Sequence, residues 1–482
     1  YAYTDETGRF SLELPPGNYE YSFLSNGARE FCNNPASLQV TAPGQLIEIV
    51  QSVKNIVDCA ELEVSLTTPG LRWCDDVVFN LNYRNLGTSD AIDAFIELAL
   101  DPALVWKSSG RTPVPLGNNR FRFDLGTLVP GQTGGFSVVA TAPCSAEFMG
   151  STLCTEARIS PDAPCIVSPS YSGAELEITP ACDQNEVVFQ VKNKGLGDMR
   201  AELAFTTVED DVMPGIGGGV LLLKNETREI RLPANGKTWR IVFDTIPDHP
   251  YQVRPTAALE GCGTGSTSKG FFNNYSLGDE APQLSVACGE LRDSLPNRSA
   301  APEGSGPNHL VFRDNRLHHT IRIRNDEGEN AFLLRVKESI SEYLDPSSLQ
   351  VTIPDHTAKW FLNSDGQIEI SLEGVNLAMG YELYISYSAR PRSDAPAGAL
   401  LQHEAEYSFN FGSWKKLEPY FHTLGSWLIS SVEESGDSGI RVEVFPNPFA
   451  TAIHFQSEPS GTQNFQVEIY DPSGIRIFEE KT

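Results

Sequence analysis

The chain has 482 residues, with 36 Lys and Arg against 63 Asp and Glu, a formal net charge of −27. Apolar residues are 40% of it and aromatics 10%, enough to bury cores, which excludes a disordered chain. No run of about 18 apolar residues is present to span a bilayer as a helix, and so acidic a chain lacks the basic face that a phosphate backbone requires, so neither a membrane span nor nucleic acid is expected.

In chain order, Thr4 to Arg9 reads as a turn, and Phe10, Leu12 and Leu14 then alternate with polar residues. Pro15-Pro16-Gly17-Asn18 turns the chain, and Tyr19, Tyr21 and Phe23 alternate again. This period of two predicts a hairpin over residues 10–23. An isolated hairpin is barely stable in water, so its partner strands are expected before Tyr1. The strand-like Ile475, Ile477 and Phe478 suggest that the other end is cut as well.

A repeat follows. Ala60-Glu61-Leu62-Glu63-Val64, Cys74-Asp75, Val77-Val78-Phe79 and Asn85-Leu86-Gly87 reappear as Ala174-Glu175-Leu176-Glu177-Ile178, Cys182-Asp183, Val187-Val188-Phe189 and Asn193-Lys194-Gly195. A weaker third copy has Leu284-Ser285-Val286, Cys288, then Ile321-Arg322-Ile323-Arg324-Asn325 and Gly328. Asn and Gly are expected at these turns for their tolerance of positive φ. A period of about 110 residues with frequent turn signals predicts an all-β chain of tandem immunoglobulin-like β-sandwiches in an elongated array. The expected division is 1–56, 57–165, 166–280, 281–429, a linker at 430–440, and 441–482. Asp90 to Trp106 reads as a strand, because Ala94, Ile96, Leu98 and Leu100 alternate and Pro102 follows. Further strands are expected at Ile368–Leu372, Leu383–Tyr387 and Tyr407–Phe411. Ser294 to Asn308 and Ser430 to Gly439 read as linkers.

Nine cysteines sit at 32, 59, 74, 144, 154, 165, 182, 262 and 288, with no C-x-x-C among them. Structural disulfides in an oxidising compartment are expected, with Cys32 unpaired. Similar placement suggests Cys59 with Cys74 and Cys165 with Cys182.

Catalytic patterns are missing from the sequence. All eight His lie at or beyond 249, so no His-dependent nucleophile can be built in the first 248 residues alone. His403-Glu404 lacks the second His of H-E-x-x-H. His318-His319 precedes a strand, where neighbours face opposite ways, and reads as a surface pair. Glu209-Asp210-Asp211 reads as a solvated loop. No cofactor is expected; calcium is the ion that acidic clusters between such domains would accept, with no ligand set named.

The residues after the second linker are the most specific signal. Val442-Glu443-Val444-Phe445-Pro446-Asn447-Pro448-Phe449 is followed by Ala452-Ile453-His454-Phe455 and Val467-Glu468-Ile469-Tyr470-Asp471-Pro472-Ser473-Gly474. This closely resembles the first half of the type A C-terminal sorting domain of Bacteroidota type IX secretion cargo. Two prolines at 446 and 448 demand a fixed corner, and Asp471 to Gly474 suits a tight turn. The resemblance marks Phe445, Pro446, Asn447, Pro448, Phe449, Tyr470, Asp471 and Gly474 as sorting-signal residues. It implies the type IX machinery as partner, and a secreted or outer-membrane-attached location. Residues 5–23 resemble part of a transthyretin-like or carboxypeptidase-regulatory-like domain. Residues 57–280 resemble the Ig-like conserved repeats of bacterial surface proteins, and 309–422 resembles a domain that often precedes the sorting signal. Asp244-Thr245-Ile246 and Asp293-Ser294-Leu295 resemble Bacteroidota O-glycosylation sites, at Thr245 and Ser294.

Together these imply a non-catalytic stalk, adhesin or filament subunit, with self-association or a surface glycan or protein as its contact. Two alternatives stand beside that reading. One is the accessory region of a secreted protease or glycosidase whose catalytic domain lies upstream. The other is an array of carbohydrate-binding modules, for which Trp360-Phe361, Trp414 and Trp427 are the exposed-aromatic candidates.

Overall fold

The computed structural model describes residues 8–23, 28–32, 35–183, 185–211, 216–251, 253–263, 267–276, 281–352, 359–363 and 366–425. It also gives the backbone of four strands within 441–481. Its described residues form strands and two short 3-10 turns, so the fold is all-β. No helix there is long and apolar enough to cross a membrane, which says nothing of a β-barrel.

The N-terminal part holds β1 (Gly17–Tyr21), β2 (Arg29–Phe31), β3 (Ala36–Val40) and β4 (Val53–Asn55). β1 pairs with β3, and β2 with β4. The hairpin expected over 10–23 does not form: residues 9–15 are irregular, and Gly17–Tyr21 pairs forward instead. Pro15 and Pro16 bring no N–H to a ladder at that turn, and the Pro15 carbonyl accepts the Tyr19 hydroxyl at 2.7 Å.

The first sandwich begins with β5 (Leu62–Thr67), β6 (Leu71–Arg72), β7 (Asp76–Asn85) and β8 (Ala91–Ala99). It continues with β9 (Val105–Ser109), β10 (Val114–Gly117), β11 (Arg120–Leu128), β12 (Thr133–Thr141) and β13 (Thr152–Ser160). The second comprises β14 (Leu176–Asp183), β15 (Glu186–Asn193), β16 (Leu203–Glu209), β17 (Gly217–Val220), β18 (Thr227–Pro233), β19 (Trp239–Phe243) and β20 (Thr256–Leu259). Its sheets run β14-β15-β18 and β17-β16-β19-β20. The alternation read in the sequence fills both cores: Phe79, Leu81, Ile96, Leu98 and Phe123 in the first, Val187, Phe189, Trp239, Ile241 and Phe243 in the second.

Residues 284–292, expected to open the third sandwich, instead form β21 (Leu284–Arg292) and complete the first. β21 pairs antiparallel with β13 and parallel with β6, giving sheets β10-β11-β8-β13-β21-β6 and β5-β7-β12-β9. The second sandwich is therefore an insertion between two neighbouring strands of the first. Ala287 and Leu291 bury against the first core, which the unpaired edge of β13 would otherwise leave open.

The third sandwich starts inside the expected linker at 294–308, with β22 (Arg298–Ala301). It continues with β23 (Leu310–Phe312), β24 (Leu317–Arg324), β25 (Ala331–Ser339), β26 (Leu344–Thr352) and β27 (Lys359–Leu362). β28 (Gln367–Leu377), β29 (Glu382–Pro391), β30 (Leu400–Phe409), β31 (Lys415–Lys416) and β32 (Tyr420–Gly425) finish it. The sheet β22-β24-β29-β26 faces β23-β32-β30-β25-β28-β27. The last strands are β33 (Arg441–Phe445) with β34 (His454–Glu458), and β35 (Gln466–Tyr470) with β36 (Arg476–Lys481).

Four disulfides form: Cys59–Cys165, Cys74–Cys144, Cys154–Cys288 and Cys182–Cys262. Cys32 is free and exposed. The pairs Cys59–Cys74 and Cys165–Cys182 are corrected. Closeness in sequence misleads because the strands between carry each cysteine away. β7 and β12 are antiparallel, with Asp76 opposite Thr141, so the start of one meets the end of the other, and Cys74 reaches Cys144.

The repeated asparagines share one role. Asn85, Asn193 and Asn325 are at most 1% exposed. Asn193 accepts the Gly195 and Glu175 backbone N–H groups at 3.1 and 3.2 Å through Oδ1, and donates from Nδ2 to the Gly197 and Leu222 carbonyls at 3.0 and 3.2 Å. Asn85 makes the same set with Gly87, Glu61, Ser89 and Leu128, and Asn325 holds Glu327, Glu329 and Leu377. None of the three has positive φ, nor do Gly87 and Gly195. The expectation of a left-handed turn is corrected: a Cβ on Gly87 or Gly195 would lie 2.3 or 2.2 Å from a backbone oxygen, so the glycine serves close approach.

Asn193→Ala removes both acceptor and donors from a buried site. It should destabilise the second sandwich by about 3 kcal/mol, read as a lower urea midpoint with the other two sandwiches unchanged. A second prediction concerns acid. Arg322 grips Glu382 from the same sheet at 2.5 and 3.0 Å and holds its carboxyl down to about 2, against an ordinary 4.5. The folded chain thus binds fewer protons here than the unfolded chain between those values. The contribution is complete above about pH 4.5 and fades as pH falls towards 2. Glu382→Gln should flatten the acid limb of the stability profile in that window and leave the neutral limb's slope unchanged.

Candidate functional site: a buried histidine cluster

Six polar side chains meet where the two sheets of the third sandwich face each other. Arg298, His319 and Tyr387 come from β22, β24 and β29; Glu338, His403 and His422 come from β25, β30 and β32. Strand alternation puts them there. On β24, Leu317, His319, Ile321 and Ile323 face in; on β30, Leu401, His403 and Ala405; on β25, Val336 and Glu338; on β32, His422 and Leu424. The polar groups occupy positions that their strands otherwise fill with aliphatic residues. Glu338, His403 and His422 are fully buried, and His319 is 2% exposed.

An ion pair anchors the group. Arg298 Nη2 donates to Glu338 Oε1 at 2.5 Å, and the Tyr387 hydroxyl donates to the same oxygen at 2.6 Å. Tyr387 Oη also lies 2.8 Å from His403 Nδ1. The hydroxyl's one proton goes to the carboxylate, so His403 Nδ1–H donates to Tyr387 and Nε2 keeps a lone pair. His422 Nε2 lies 3.1 Å from the Pro302 carbonyl, which only accepts, so Nε2 carries the proton and Nδ1 keeps its lone pair. His319 Nε2, His403 Nε2 and His422 Nδ1 have no hydrogen-bond partner among the described residues. The three rings bring one nitrogen each within 4.8 Å of one another. His319 and His403 rings sit 4.0 Å apart, and His319 and His422 rings 5.4 Å.

Burial sets the charge. It pushes the imidazoles of His319 and His403 well below their ordinary range and His422 to about 4, with His403 further lowered by His422 and Arg298. All three are neutral near pH 7. Burial raises the Glu338 carboxyl, opposed by Arg298 and the Tyr387 hydroxyl, and raises the Tyr387 phenol. The cluster thus holds three neutral nitrogen donors beside a charge-balanced Arg–Glu pair, closed to solvent.

Other predicted positions fall as follows. His318-His319 is corrected from a surface pair. β24 is a central strand with both faces covered, so His319 points into the core, while His318 faces a cleft against Glu63 of the first sandwich, beside Gln350 and Arg390. The Glu209–Asp211 segment is corrected from a solvated loop: Asp210 accepts Lys237 Nζ, Ser268 Oγ and the Thr238 N–H at 2.8, 2.8 and 2.9 Å. Ser294 is exposed after β21, and Thr245 is half-buried after β19. Trp360 packs on the third core, Phe361 is exposed, and Trp414 is half-buried beneath Arg335 and Lys337. Phe445 and Tyr470 end β33 and β35, opposite His454 and Arg476. Pro446, Asn447, Pro448, Phe449, Asp471, Gly474 and Trp427 lie outside the described residues. The cluster itself escaped motif reading because its ligand-type residues come from distant strands. The available signal was parity: His403 shares the inward register of Leu401 and Ala405.

A family model for a domain of unknown function, DUF7619, matches residues 296–414, most of the third sandwich. Among curated proteins no significant match is found. Solved structures with partial likeness include a collagen-binding domain from a Staphylococcus aureus adhesin, 12% identical over 23% of this chain and 87% of that one, TM-score 0.17. The Enterococcus faecalis MSCRAMM ACE, described as binding its ligands by the collagen hug model, is 8% identical over 77% and 95%, TM-score 0.20. The collagen-binding domain of Erysipelothrix rhusiopathiae surface protein RspB is 10% identical over 75% and 93%, TM-score 0.18.

Glu338→Ala leaves a guanidinium buried without its counter-charge, and should destabilise the third sandwich by about 3–5 kcal/mol in urea unfolding followed by tryptophan fluorescence. The double change Arg298→Met with Glu338→Leu should recover most of that loss, since it removes both charges at similar volume.

Proposed function

We propose that this chain belongs to a non-catalytic, extracellular structural or adhesive protein carried to the bacterial surface by the type IX route. The observation that supports this best is covalent. Eight of nine cysteines pair, closing loops of 70 to 134 residues across two sandwiches. Such bonds persist in oxidising compartments outside the cytosol. The cluster of titratable groups in the third sandwich is sealed from solvent, so a dissolved substrate does not reach it. The sorting-signal resemblance at 441–482 supplies the export route, and exposed Ser294 is the better of the two glycan positions.

The test is export. In a host with a working type IX system, the full gene should give protein that external protease digests on intact cells. A form ending at residue 440 should stay in the periplasm. Surface display of the shortened form would overturn the export reading.

A further inference from the structure

We propose that His319, His403 and His422 form a structural site for a borderline divalent metal ion, Zn2+ foremost, that ties together the two sheets of the third sandwich. Three observations carry this. First, His319 Nε2, His403 Nε2 and His422 Nδ1 are buried without a hydrogen-bond partner among the described residues, and the three rings bring one nitrogen each within 4.8 Å of one another. A buried imidazole nitrogen left unpaired is unfavourable, so three together call for a compensating partner. Zn–N bonds of about 2.0–2.1 Å would draw each nitrogen inward by about 1 Å at most, within reach of small side-chain rotations.

Second, the outer nitrogens are held as metal-binding histidines are held. His422 Nε2–H donates to the Pro302 carbonyl, and His403 Nδ1–H donates to Tyr387, whose hydroxyl is bound in turn by the Glu338 carboxylate. Each bond fixes the tautomer and leaves the lone pair on the ring's other, unpartnered nitrogen, and the carboxylate behind Tyr387 increases ligand basicity. Arg298 opposes a cation, but Glu338 neutralises it at 2.5 Å.

Third, the donor set selects the ion. Three neutral imidazoles suit zinc and its first-row neighbours, whereas calcium and magnesium demand oxygen. Water would complete the coordination. His319 stands on one sheet, His403 and His422 on the other, so the ion would join sheets in a sandwich whose sequence after Cys288 contains no cysteine.

The test uses the full chain, without a histidine tag, produced with zinc present and desalted. Elemental analysis should give about one zinc per chain, and Co2+ substitution should give the absorption of a tetrahedral site. His422→Gln and His403→Gln should each reduce bound zinc at least about tenfold, while His249→Gln, outside the cluster, keeps it. Stripping zinc under partly denaturing conditions should lower the melting temperature of wild type and leave that of His422→Gln unchanged. Should His403→Gln fail to fold, His422→Gln and the wild-type stoichiometry decide. Wild-type protein folded in excess zinc that retains none, or zinc that survives His422→Gln in full, would overturn the proposal. Neither result bears on export.

Discussion

Each sandwich is closed by an asparagine side chain that does the work of backbone. At the end of β7 and of β15, and just past β24, the chain must leave one sheet and cross to the other, and the crossing strips several N–H and C=O groups of ladder partners. An amide carries a donor and an acceptor in fixed relation, like a peptide group. Asn85, Asn193 and Asn325 use it to bind the next turn on one side and a carbonyl of a later strand on the other. Their own backbone groups are bound too: Asn193 N–H donates to Glu226, and its carbonyl accepts from Asn225. With every polar atom satisfied, the residue can be buried completely, and the hydrophobic faces of both sheets can meet behind it. Aspartate would lack the donors, and any longer side chain would move the turn away from Gly87 or Gly195, where there is no space for a Cβ.

How much of this could be read in advance follows from what sets each feature. Alternation within a strand is local, so β8, β28, β29 and the Val-Val-Phe strands were legible, and with them the all-β class and its cores. Pairing between strands is not local. Nothing in Leu284-Ser285-Val286 says that it returns to β13 across an inserted sandwich, nor that Cys288 would stand opposite Cys154. The Asn-x-Gly repeat is visible in the sequence but its cause is not, because a close approach and a left-handed turn favour the same residues. The histidine cluster was visible only as parity: a titratable residue in the register of Leu401 and Ala405, with partners 84 residues away at His319 and 19 away at His422, since 403 − 319 = 84 and 422 − 403 = 19.

The two kinds of interior answer different demands. The first two sandwiches bury polar side chains singly, Thr155 in the first and Arg240 in the second among them, and take their cross-links from cysteine. The third sets a polar slab among Leu317, Ile321, Leu401 and Leu424, at an energetic cost that aliphatic residues would avoid. Such a slab is specific, since Arg298, Tyr387 and His403 have partners only when β22, β29 and β30 stand in one register. A slip of one residue would bury Ser299 and expose Arg298, and strand the Glu338 carboxylate.

The disulfide pattern also decides how a pull along the chain is carried. Load entering at Cys59 crosses the bond to Cys165, returns along the backbone to Cys154, and crosses the second bond to Cys288. The covalent path between residues 59 and 288 therefore contains one peptide segment, 154–165, of 165 − 154 = 11 residue steps, and that segment includes most of β13. The inserted second sandwich hangs off this path as a closed loop and bears no axial tension. Two sandwiches can thus unfold without lengthening the chain appreciably, since the bonds hold whatever the sheets do. The third sandwich has no such shunt, and under tension its length rests on its ladders and on whatever joins its two sheets. Of the three sandwiches it is therefore the one that tension would lengthen, and the one where a cross-link other than sulfur has the most to contribute.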